Sequence, residues 1–274
     1  MPAAELRPES YRFLQDYVYR QSGIVLDGDK RYLLDVRLMP IVRQIGLGNL
    51  NDLCAVLGGS AGNAALGRQV VEAMTTNETF FFRDPAQYDA LRSIVIPGLI
   101  AQRQDTRKMS FWSAASSAGQ EAYSLAIMLL EMGLGHWKIQ IQGTDLSTQM
   151  AARACAGKYL QIEVNRGLPV GYLIKYFTRA GLEWQLKDEV RRMVDFTTFD
   201  LRQSMSARGP FDVVFCRNVL IYFDVEAKRK ILDEIHGTLY RGGHLLLGGS
   251  ETTLNLTNRF ERRILGQTVL YQVL

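Results

Sequence analysis

The sequence predicts an α/β chain: a helical N-terminal part, then a mostly parallel sheet covered on both faces, with a small β-subdomain inserted into it. Three observations predict this. Up to about residue 75, apolar residues recur at helical spacing. From about residue 107, short apolar runs alternate with helical stretches, the pattern of a parallel sheet with crossover helices. Residues 157–192 break that alternation with an aromatic-rich run, Tyr172 to Phe177, a Gly181 turn and Glu183–Leu186.

In the N-terminal part, Leu34, Leu38, Ile41, Val42 and Ile45 fall on one helical face, and Pro40 is expected to kink or split that helix. Lys30, Arg31, Arg37 and Arg43 decorate the same segment, either as a solvated face or as a docking surface for an acidic partner. A small-residue loop spans residues 57–63. Farther on, strands are expected at 109–112, 138–144, 190–196, 211–216 and 244–247. Helices are expected at 121–132, from Ser147, and at 226–239. Residues 260–265 and 268–274 read as a final antiparallel pair turned at Gly266-Gln267. Right-handed crossovers place any ligand along one edge of the sheet. The domains follow: 1–75 helical, 76–106 a linker, 107–274 the sheet domain, 157–192 the inserted β-subdomain.

Composition narrows the class. The 274 residues are 47% hydrophobic, enough for a sizeable core. No apolar run approaches the ~20 residues that span a bilayer, and the N-terminus has no signal-peptide stretch. A cytoplasmic protein without membrane insertion is expected. Net charge is only +4, with basic and acidic residues interspersed, which argues against a nucleic-acid partner. Cys54, Cys155, Cys216, His136, His236 and His244 are too scattered for a metal site or a nucleophile with its base.

Four segments carry chemistry. In Phe111 to Glu121 a strand ends in small residues and a helix begins, a place where backbone approaches a ligand and free N–H groups are on offer. Only Gly119 of a three-glycine dinucleotide fingerprint is present, and the loop lacks the Gly-Lys-Ser/Thr of a P-loop. In Gly143-Thr144-Asp145-Leu146-Ser147, Asp145 stands where nucleotide-binding folds bond a ribose, or else caps the following helix. A buried strand ends at Arg217-Asn218, with Asn218 at the ligand edge. Tyr222 and Phe223 after it read equally as core aromatics. In Met74 to Asp84, three adjacent phenylalanines are expected to pack at a domain junction, and the Thr and Asn residues before them suit helix caps.

Taken together, TTNETFFFRD, FWSAASSAGQEAYSLAI, GTDLS, FCRNVLIYF and GGSE resemble the chemotaxis receptor methyltransferases, the CheR family, in order and spacing along nearly the whole chain. The resemblance implies a class I S-adenosylmethionine-dependent methyltransferase (Rossmann-like) sheet with an N-terminal helical domain and a small inserted β-subdomain. It implies methyl transfer from S-adenosylmethionine to glutamate side chains of chemoreceptor cytoplasmic domains, with S-adenosylhomocysteine as product, no metal, and a regulatory protein as a further partner. Asn77, Thr79, Arg83, Glu121, Asp145, Asp200, Leu201, Arg217 and Asn218 are implied cofactor contacts, Asp145 on the ribose. Arg83 and Tyr222 are implied catalytic residues, Tyr222 beside the transferred methyl. The chain departs from the family at Ala115, usually glycine, Ser116, usually cysteine, Gln120, usually glutamate, and Ala122, usually proline; Asp200 stands where asparagine is common. Ala115 is expected to crowd the ligand and weaken its binding. The compact hairpin around Gly181 is expected not to tether a receptor C-terminal pentapeptide tightly. The other readings are a methyltransferase with a different acceptor and a non-catalytic sensor of S-adenosylmethionine.

Overall fold

The computed structural model describes residues 5–26, 31–59 and 64–274. They form two compact units, residues 1–76 with 222–224, and residues 77–221 with 225–274.

The helical unit contains α1 (Pro8–Ser22), α2 (Arg31–Gln44), α3 (Leu50–Gly58) and α4 (Ala64–Met74). Helix α1 opens on Pro8, whose fixed φ suits a first turn. It stops at Gly23, φ 75°, whose N–H donates to the Tyr19 carbonyl at 2.7 Å. The Asn49 side chain caps α3 by accepting from the amides of Asn51 and Asp52. Leu34, Leu38 and Val42 are fully buried among Leu14, Val18, Leu53 and Val70. Each such side chain contributes about 1.5–3 kcal/mol of burial energy. Ile45, expected on the same face, is exposed. Pro40 does not split α2, which runs unbroken from Arg31 to Gln44. Pro40 lies on the exposed side, and Val36, whose carbonyl loses the proline's missing N–H, is exposed too, so the helix leaves that carbonyl on its solvent side.

The basic face of α2 is mixed. Arg37 spans to the end of α4, donating from Nη1 to the carbonyls of Met74 at 2.7 Å and Thr75 at 3.0 Å. Its Nη2 donates to Thr76 Oγ1 at 3.0 Å. It therefore satisfies carbonyls that a helix C-terminus leaves open. Arg31 donates to the Leu6 carbonyl, and Arg43 is exposed. Lys30 and residues 60–63 of the small-residue loop lie outside the described residues.

The other unit is organised by a seven-stranded sheet. Its members are β1 (Lys108–Ala114), β2 (Lys138–Asp145), β6 (Val194–Thr198), β7 (Phe211–Cys216), β8 (Leu239–Leu247), β9 (Phe260–Leu265) and β10 (Thr268–Val273), in the order β6-β2-β1-β7-β8-β10-β9. The first five are mutually parallel, and β10 is antiparallel to both neighbours. Helices α5 (Pro85–Ala90), α6 (Ile96–Gln102), α7 (Gln120–Glu131), α8 (Thr148–Ala156) and α12 (Val225–Thr238) belong to the same unit. The expected strand at 190–196 is shorter: Asp188–Arg191 forms helix α11, with two acidic residues in its first turn where the helix dipole favours them.

The inserted subdomain is a three-stranded antiparallel sheet with β5 (Glu183–Leu186) between β3 (Lys158–Leu160) and β4 (Phe177–Ala180). Short helices α9 (Gln161–Val164) and α10 (Val170–Tyr176) complete it. The aromatic run of α10 is helical, because that winding packs Tyr172 on Phe82, ring centroids 5.6 Å apart, and buries Leu173 and Tyr176. Phe81 and Phe82, expected at a domain junction, have their packing partners within this unit. Both are buried in this unit's own core, Phe81 against Tyr159 and Phe177 at 5.0 and 5.7 Å, Phe82 against Tyr88 at 5.1 Å.

Arg37→Ala removes three hydrogen bonds at the end of α4. It is expected to lower stability by about 1–2 kcal/mol in urea denaturation. Stability equal to the parent's would return Arg37 to a solvated role.

Candidate functional site

Strand register builds the site. Ala114 lies opposite Thr144 on one side and Cys216 on the other; Cys216 lies opposite Leu247, and Asp145 opposite Thr198. The carboxyl ends of five parallel strands therefore share one edge. The chain moves from β1 outward to β2 and β6, then returns to β7 on the other side of β1. That reversal opens a crevice at the carboxyl ends, where doubly wound sheets bind ligands.

The loop after β1 is tightly folded. Ala115, Ser117 and Gly119 adopt left-handed φ values of 59°, 51° and 90°. Asp145, almost wholly buried, anchors this loop: its Oδ2 accepts the Ser117 amide at 2.8 Å and its Oδ1 the Ser147 amide at 2.9 Å. Asp145 is not the helix cap; Ser147 is, its Oγ accepting the Met150 amide. The Asp145 carbonyl accepts the Phe199 amide at 2.8 Å, bringing the 199–201 segment alongside. Ser117 Oγ donates to the Asn77 carbonyl at 3.1 Å. Ser116 Oγ and Gln120 Oε1 are buried here without a protein partner. At Gly119 a Cβ would come within 2.9 Å of Ala154 and of the Phe196 ring, so this turn admits no side chain.

Across the crevice, the Arg217 side chain is 1% exposed. Its Nη1 donates to Glu121 Oε2 at 2.8 Å, and its Nη2 to Asp84 Oδ2 at 2.5 Å and the Arg83 carbonyl at 2.8 Å. Ser113 Oγ donates to the other Glu121 oxygen at 2.8 Å. Burial opposes the Arg217 charge, but Glu121, then Tyr88 and Asp84, outweigh it, and its pKa is raised. Arg217 Nε is buried without a protein partner. The pairing fixes Glu121 at the start of α7 and holds a strained turn in which Phe82 and Asp84 have φ of 51° and 60°. Stripping one partner from a buried pair typically costs about 3–5 kcal/mol.

The remaining residues sort clearly. Asn218 has φ 59°, and its amide donates to Glu251 Oε2 at 2.7 Å. Glu251 also accepts the amides of Gly248 at 2.7 Å and Ile221 at 3.3 Å. It ties the ends of β7 and β8 together, and sequence reasoning gave it no role; its signal was the acid in GGSE just after a strand. Asp200 is taken by Arg202, whose Nη2 approaches Oδ2 at 2.6 Å, and Leu201 is buried. The Arg83 guanidinium donates to the Glu78 carbonyl at 3.2 Å and lies 5.4 Å from the Phe80 ring centre. Asn77 is exposed and Thr79 half-buried. Tyr222 is a member of the helical unit, packed against its core, with its carbonyl accepting the Val25 amide at 2.9 Å. Among the described residues, no group of three or more His, Cys, Asp or Glu could hold a metal ion.

An anchored carboxylate after β2, a small-residue loop with unpaired buried oxygens after β1, and a second acid opening α7 suit a polar nucleoside bearing a charged tail. The sheet is that of a class I S-adenosylmethionine-dependent methyltransferase, as its family match shows. Residues 77–268 match the model of the CheR methyltransferase S-adenosylmethionine-binding domain, and residues 9–75 that of the CheR methyltransferase all-alpha domain. The chain belongs to the CheR methyltransferase family, and its cofactor is S-adenosylmethionine. It is 40% identical to chemotaxis protein methyltransferase 1 of Pseudomonas aeruginosa, over 99% of both chains. It is 38% identical to a chemotaxis protein methyltransferase of Vibrio parahaemolyticus, over 100% of both.

Ala115 occupies a left-handed conformation that costs a residue with a Cβ about 1–2 kcal/mol. Ala115→Gly is expected to raise stability by roughly 1 kcal/mol, less the added unfolded-state freedom of glycine. Urea denaturation checks it, and a destabilised variant would mean that the Ala115 methyl packs usefully.

Proposed function

We propose that this chain transfers methyl groups from S-adenosylmethionine to glutamate side chains of chemoreceptor cytoplasmic domains, forming methyl esters for sensory adaptation in the cytoplasm. The observation that carries the reading is the full-length likeness to proteins named chemotaxis protein methyltransferase.

The chemistry is compatible with the residues present. When bound, S-adenosylmethionine supplies an electrophilic methyl carbon on a sulfonium. A glutamate acceptor is already ionised near neutral pH, its ordinary pKa being about 4.3, so the chain need not supply a general base. What it must supply is orientation and exclusion of water. We assign Asp145 to the ribose hydroxyls, since an acid at the carboxyl end of the strand next to β1, beside the small-residue loop, is where nucleotide-binding α/β folds hold a ribose. Glu121, held by Arg217 and Ser113, suits the cofactor's ammonium group. Phe199 to Leu201, beside Asp145, suit the adenine, with Asn77, Thr79 and Asn218 as further contacts. Arg217 acts through Glu121 and Asp84 rather than by touching the ligand. Arg83 carries a charge whose planar fork can hold a carboxylate.

Incubation with labelled S-adenosylmethionine and chemoreceptor-bearing membranes is expected to give base-labile methyl esters on receptor glutamates. Arg83→Ala should lower that turnover at least about tenfold. Labelling of another acceptor, or none, would refute the glutamate reading, and near-parental turnover in the variant would remove Arg83 from the transfer.

Asp145→Ala is expected to lower S-adenosylhomocysteine affinity at least about tenfold in calorimetric titration. It should also cost about 1–3 kcal/mol of stability, because the Ser117 and Ser147 amides lose their acceptor. Unchanged affinity with reduced stability would leave Asp145 a purely structural anchor.

A further inference from the structure

The inserted subdomain reaches the segment that carries Arg83. Arg166, between α9 and α10, donates from Nη2 to Glu78 Oε1 at 2.6 Å. Its guanidinium also lies over the Phe80 ring, 4.3 Å from the centre. The same ring carries Arg83 at 5.4 Å, and the Arg83 guanidinium is held by the Glu78 carbonyl at 3.2 Å. Glu78 and Phe80 are thus gripped by Arg166 and in turn seat Arg83. The next residue tightens the grip. Gly167 has φ 82°, and a Cβ there would collide with the Phe81 carbonyl oxygen and come within 3.2 Å of the Phe80 ring. Backbone of the subdomain is therefore pressed on backbone of the 80–81 segment. Arg166 also holds the Glu78 carboxyl below the usual carboxylate range, by hydrogen bond and charge.

We propose that Arg166 is a positioning residue for methyl transfer, acting through Glu78 and Phe80 to fix Arg83. This rests on the reading that Arg83 takes part in the transfer. The Arg166 and Glu78 side chains are 52% and 56% exposed, so the pair adds little stability and its loss leaves the fold intact. Geometry is what the clamp supplies. Phe80 is a rigid plate with a guanidinium near it on each account, and only arginine offers the flat face that both stacks and pairs. Through this clamp the inserted subdomain is tied to the segment that carries Arg83.

The test is a double-mutant cycle in the full chain, with labelled S-adenosylmethionine and chemoreceptor membranes. Arg166→Ala is expected to lower kcat about tenfold with little change in KM for receptor, and Arg166→Lys to recover part of it. In an Arg83→Ala background, Arg166→Ala should lower kcat less than about twofold, because its effect runs through the missing side chain. Glu78→Gln, which removes only the charge, should follow the same pattern, and it carries the cycle if Arg166→Ala melts below the parent. Parental kcat in Arg166→Ala, or equal losses in both backgrounds, would overturn the proposal while leaving the role of Arg83 standing. Parental kcat in Arg83→Ala alone would overturn the reading beneath it, and the proposal with it.

Discussion

The buried Arg217 guanidinium is the interaction on which the sheet edge depends. A charge 1% exposed can persist only if paired, and its partners are Glu121 at the head of α7 and Asp84 in the turn before α5. Satisfying it fixes three stretches far apart in sequence: the end of β7, the start of α7 and the Phe82–Asp84 turn. The Arg83 backbone is held by the same group. Asp145 does on the β2 side what Arg217 does on the β7 side, accepting amides from two loops. Glu251 does the same for β7 and β8. The crevice is thus walled by ionic side chains spent on backbone and on one another, which leaves the loops little freedom before a ligand arrives.

Much of this was legible in the sequence because it is local. The β1–loop–α7 junction shows as an apolar run, small residues and an amphipathic helix. Asp145 shows as an acid ending the next strand, and β9–β10 as two runs around Gly266-Gln267. The less legible features depend on distant partners. Arg37 looks the same in sequence whether solvated or closing a helix, and its acceptors lie 37 to 39 residues away. Glu251 shows nothing of the amides the fold brings to it. Residues 170–176 have strand-like composition, yet helical winding buries Leu173 and Tyr176, and tertiary packing overrode propensity. Pro40 shows the reverse: a helix breaker is tolerated where the orphaned carbonyl lies on the helix's solvent side.

The departures from the family pattern acquire physical content. Ala115 sits at a left-handed φ, so its burden is carried in the backbone whether or not a ligand is present. Asp200, where asparagine is common, has its charge met by Arg202, which takes both oxygens. The change from amide to carboxylate is therefore compensated two residues on. Gln120 leaves Oε1 buried without a protein partner.

The central claim is that Arg217, by holding Glu121 and the Asp84 turn, builds the cofactor edge rather than binding the cofactor itself. A crystal structure of the complex with S-adenosylhomocysteine tests it most directly. The ribose is expected on Asp145, with Arg217 still bonded to Glu121 and Asp84. An Arg217 side chain released from both carboxylates and bonded to the ligand would contradict it.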